Sequence, residues 1–73
     1  MDEKDRKRLE QDLAVLERKL ERVKQTIEDY SFLEKQPQTI DSLEIIKKRR
    51  TLALTDKSRL EQLIQNIKWL MEE

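Results

Sequence analysis

Residues 9–30 read LEQDLAVLERKLERVKQTIEDY, and the apolar residues in this stretch decide the fold. Among them Leu9, Leu13, Leu16, Leu20, Val23, Ile27 and Tyr30 recur at intervals of 4, 3, 4, 3, 4 and 3 residues. That is a heptad seam along one side of a helix, because a half-buried strand would need an apolar residue at every second position. Opposite charges four residues apart line the outside: Asp2 with Arg6, Glu3 with Lys7, Lys24 with Glu28. Each such pair adds only a few tenths of a kcal/mol. A first helix is predicted from about residue 4 to about residue 35.

The pattern stops at Pro37, which cannot continue a helix and biases Gln36 away from helical angles. Thr39-Ile40-Asp41-Ser42-Leu43-Glu44-Ile45 follows. With Asp41 as N-cap, Glu44 reaches back as the partner of a capping box, and Ile40 and Ile45 form a hydrophobic staple. The predicted loop spans about residues 36–41, and a second helix runs from about 42 to about 71. A loop this short makes the helices antiparallel neighbours. Ser58-x-x-Glu61 also resembles a capping box, which would break the second helix near Thr55–Ser58. No Gly or Pro enforces that break, so a continuous helix is expected. The fold class predicted is all-α: residues 1–73 form one coiled-coil-like antiparallel hairpin.

The second helix has the broader apolar face. Projected at about 100° per residue, Ile45, Ile46, Leu52, Ala53, Leu60, Leu63, Ile64, Ile67, Leu70 and Met71 share one arc of about 120°. A strict two-stranded seam needs only a narrow stripe, whereas a broad one suggests a helix packed on two neighbours. A core of this size supplies only about 3–5 kcal/mol, so small scaffolds lean on a disulfide, a metal or a partner chain. The 73 residues include no Cys and no His, which excludes disulfides and the usual zinc ligands. Self-association remains, and a homodimer of hairpins forming a four-helix bundle is expected.

Composition narrows function. Charged residues make up 44% of the chain, and Lys+Arg and Asp+Glu balance at 16 each, so no global field draws in nucleic acid or an anionic membrane. No apolar run approaches the roughly 18 residues of a membrane span, and the charged N-terminal residues do not read as a signal peptide. A cytoplasmic location is expected. Without His to activate a Ser, and without Gly to build a phosphate-cradling loop, an enzyme, a cofactor and a small-molecule substrate are not expected.

Three features stand out as candidate sites. Lys47-Lys48-Arg49-Arg50 is the one dense basic run, a candidate nucleic-acid contact weakened because consecutive helical residues point in different directions. Arg49 and Asp56, seven residues apart, project into the middle of the apolar arc, where an unpaired charge is costly. They pair across a dimer axis, or line an open binding surface, or mark local unwinding of the helix. Phe32, Leu54 and Trp69 project away from the arc and are candidate partner contacts. The expected function is that of a small protein–protein interaction, adaptor or regulatory protein. The alternative is a nucleic-acid-binding regulator using Lys47–Arg50.

Overall fold

Helix one forms where the heptad seam lies. In a computed structural model, which describes residues 1–72, α1 spans Glu3–Glu34 and α2 spans Ile40–Glu72. Asp2 caps α1: its Oδ1 accepts from the Asp5 backbone N–H at 2.8 Å. Asp2 is thus a cap and not the partner of Arg6. Lys7 does meet Glu3, at 4.0 Å, while Lys24 turns to Glu21 at 4.0 Å in place of the expected Glu28.

The turn occupies residues 35–39. Lys35 and Gln36 close α1 with N–H bonds to the carbonyls of Phe32 and Leu33, both at 3.1 Å. The cap of α2 is Thr39, two residues ahead of the expected Asp41. Its Oγ1 accepts from the Ser42 N–H at 3.1 Å, and its carbonyl accepts from the Leu43 N–H at 3.0 Å. Gln38 explains the earlier start. Its Nε2 donates to the Leu33 carbonyl at 3.2 Å, while its Oε1 accepts from the Ser42 hydroxyl at 2.9 Å. One side chain so ties the end of α1 to the start of α2. The expected staple does not form either: Ile40 is the first helical residue, 80% exposed, and Ile45 is 52% exposed.

α2 runs unbroken through Thr55–Ser58. Thr51 and Thr55 turn their hydroxyls back onto the carbonyls four residues earlier, Lys47 and Thr51, at 3.0 and 3.2 Å. That bond satisfies each hydroxyl without opening the helix. The two helices lie side by side and antiparallel in a rod of 55 × 14 × 13 Å. At the far end Arg6 Nη2 reaches the Met71 carbonyl at 3.5 Å.

Between the helices lies one seam. α1 contributes Leu9, Leu13, Leu16, Leu20, Val23, Ile27, Tyr30 and Glu34, all half-buried. α2 contributes Leu43, Ile46, Arg50, Ala53, Lys57, Leu60, Ile64, Ile67 and Met71. The second set is also a faultless heptad, alternating intervals of 3 and 4. Among the described residues only Ile46, Ala53 and Ile64 are buried, and no large side chain is fully enclosed.

Candidate interaction surface

The seam holds one polar contact of consequence. Arg50 Nη1 meets Glu34 Oε2 at 2.7 Å, with the Glu34 side chain 18% exposed and that of Arg50 39%. The other carboxylate oxygen, Oε1, is buried with no partner. Arg50 thus belongs to the hairpin's interior contacts. Lys47, Lys48 and Arg49 are exposed and leave the helix in successive directions, so the basic run presents no single four-residue face.

Arg49 and Asp56 also lie differently from their projected place. Both are exposed, and the charges that enter the seam sit one position further on, at Arg50 and Lys57. The difference has a physical origin. The broad apolar arc is two stripes side by side, and the hairpin seam uses one of them. Arg49 and Asp56 belong to the other.

That second stripe runs Ile45, Arg49, Leu52, Asp56, Arg59, Leu63, Asn66 and Leu70, again alternating intervals of 4 and 3 and exposed throughout. Its large apolar members are far from buried: Ile45 is 52% exposed, Leu52 61%, Leu63 43% and Leu70 39%. α1 borders it on the same side of the rod. Lys19 and Arg22 line one shallow depression with Asp56 and Arg59, and Asp12 and Val15 line another with Leu63. Near the termini Met1, Arg8 and Asp12 surround Leu70. One flank of the hairpin is thus apolar towards both ends and charged in the middle. The opposite flank carries few large apolar groups, Leu54 among them.

Phe32 and Trp69 are 64% and 62% exposed. They sit at opposite ends of the rod, near the turn and near the termini, and form no common patch. Among the described residues, no cluster of three or more carboxylates is placed to hold a metal ion, and no helix is long and apolar enough to cross a membrane. Comparison of the chain with protein families, with curated proteins and with solved structures returned no match.

Proposed function

We propose that the protein is a small, non-enzymatic interaction or adaptor protein that works as a homo-oligomeric helical bundle. What supports this is the exposed stripe that carries Ile45, Leu52, Leu63 and Leu70 along one flank. Single exposed apolar residues need no explanation, whereas four at heptad-compatible spacing form a surface that a further helix covers.

Area supports the same reading. The hairpin exposes 6091 Å², whereas a compact chain of 8.9 kDa exposes about 4,800 Å². The excess exceeds the roughly 800 Å² that each partner contributes to a standard interface. Covering this flank with another copy gives each hairpin the core it lacks alone, and leaves Phe32 and Trp69 on the outside of the bundle as contacts for a protein partner.

Light scattering at micromolar concentration tests it. A mass of at least twice the 8.9 kDa chain, with the same helicity on dilution until the assembly dissociates, is the expected result. A cooperatively folded monomer under those conditions would overturn the reading.

A further inference from the structure

We infer that the second stripe of α2 docks against the same stripe of a second copy, antiparallel, about a two-fold axis that passes between Lys57 and Ser58. This rests on the self-association proposed above and adds its register and its orientation.

The stripe reads I-R-L-D-R-L-N-L over Ile45, Arg49, Leu52, Asp56, Arg59, Leu63, Asn66 and Leu70, and it complements its own reverse. Laid antiparallel with its full length in overlap, Ile45 faces Leu70 of the second copy and Leu52 faces Leu63. Asp56 faces Arg59, and Arg49 faces the Asn66 side-chain amide. Two-fold symmetry makes each pairing twice. The outer layers are apolar, the central ones carry opposite charges, and no layer sets like charge on like.

Other alignments of the same stripe fail by elementary electrostatics. A parallel pairing in register stacks Arg49 on Arg49, Asp56 on Asp56 and Arg59 on Arg59. Sliding the antiparallel pairing one heptad one way sets Arg49 against Arg59 and Leu52 against Asp56. Sliding it the other way leaves Ile45 uncovered and sets Arg59 against Leu63. Like charges across an interface suppress such partners, and complementary ones set register. An isologous contact, with residue i on j and j on i, also closes as a dimer and stops there. Asp56 therefore meets Arg59 of the second copy in this alignment, and Arg49 has a different neighbour.

α1 adds a cost to this docking. Along the same flank Lys19 and Arg22 line a depression with Asp56 and Arg59 beside the axis, so they approach the same residues of the second copy as like charges, which the two Asp56 carboxylates offset in part. Asp12 and Val15 lie further from the axis, beside Leu63.

Charge reversal tests the register in the full chain. Asp56 and Arg59 are exposed in the hairpin, so their reversal leaves its helicity intact, as circular dichroism checks. Asp56→Arg alone and Arg59→Asp alone should each raise the dimer dissociation constant by about tenfold or more, because each makes two like-charged contacts. The double reversal, Asp56→Arg with Arg59→Asp, should restore it. Orientation is read independently, since the chain has no cysteine of its own. A mixture of Leu52→Cys and Leu63→Cys chains should cross-link with a short bis-maleimide. Leu52→Cys chains alone should not, because their thiols sit eleven residues apart along the rod, about 16 Å. A dimer in which single reversals change nothing and Leu52→Cys links to itself would overturn the antiparallel register and leave self-association standing. A protein that stays monomeric at every concentration would overturn both.

Discussion

The two helices are nearly equal in length and share a heptad rhythm, yet they spend it differently. α1 puts every seam position from Leu9 to Tyr30 to apolar use, and ends the series at Glu34. α2 gives up two of its nine seam positions to Arg50 and Lys57 and carries a second row of large apolar residues beside them. A helix that needs one neighbour concentrates its apolar residues in one stripe. A helix built for two distributes them, and each stripe taken alone is interrupted by charge. The single partner present in the hairpin can satisfy α1 but only half of α2.

The sharpest way to break this contrast is to cut the seam itself. Ile64 is 5% exposed, and Ile64→Ala should cost about 2–5 kcal/mol, comparable to the whole core of a chain this small. Loss of helicity at 25 °C, followed by circular dichroism, is the expected outcome. A melting curve that shifts by only a few degrees would mean that the seam carries less of the stability than the second stripe does.

A smaller effect is expected at the seam's charged end. Arg50→Leu strands Glu34 with both oxygens unpaired and should destabilise by about 1–3 kcal/mol. Adding Glu34→Leu removes the stranded charge, and the double variant should recover most of that loss or exceed the parent. Equal urea midpoints for single and double variants would show that the Glu34 carboxylate reaches water after all.

The turn comes next. Thr39→Ala should cost about 0.5–2 kcal/mol as a lost N-cap, and Asp41→Ala a few tenths at most, as a charge in the first turn of α2. The reverse order in thermal melts would return the cap to Asp41. Smallest of all, Phe32→Ser and Trp69→Ser should leave stability within about 0.5 kcal/mol of the parent, since both side chains face outward. A larger loss at either position would put that ring in an interface of the assembly.

The same contrast explains how much of the hairpin is legible in the sequence alone. α1 was legible because its seam has no polar interruption. The break at Pro37 and the continuity through Thr55–Ser58 were legible because breakers act locally and their absence does too. The seam of α2 was not. Projecting all apolar residues onto one wheel merges two stripes into one arc, and that merged arc placed Arg49 and Asp56 at its centre, where the seam in fact has Arg50 and Lys57. Nor was the cap legible: Thr39, Asp41 and Ser42 are all good capping residues within four positions. Gln38 decides among them through two hydrogen bonds that depend on where α1 ends. Two ends of chain must meet before that side chain has anything to bridge.

The Gln38 bridge has a consequence for how the hairpin assembles. Its bond to Leu33 closes a separation of five residues, the Arg50–Glu34 contact closes sixteen, and the Arg6–Met71 contact closes sixty-five. The entropy lost on bringing chain ends together grows with the logarithm of the intervening length, about 0.6 kcal/mol per doubling. Zippering from the turn outward, each layer docks against one already in place, and the termini are the last to join. Opening is expected to run the same way in reverse. In native-state hydrogen exchange, amides of α1 and α2 near the turn should then be the slowest to exchange. Those around Arg6 and Met71 should be the fastest, fraying while the rest of the rod stays closed.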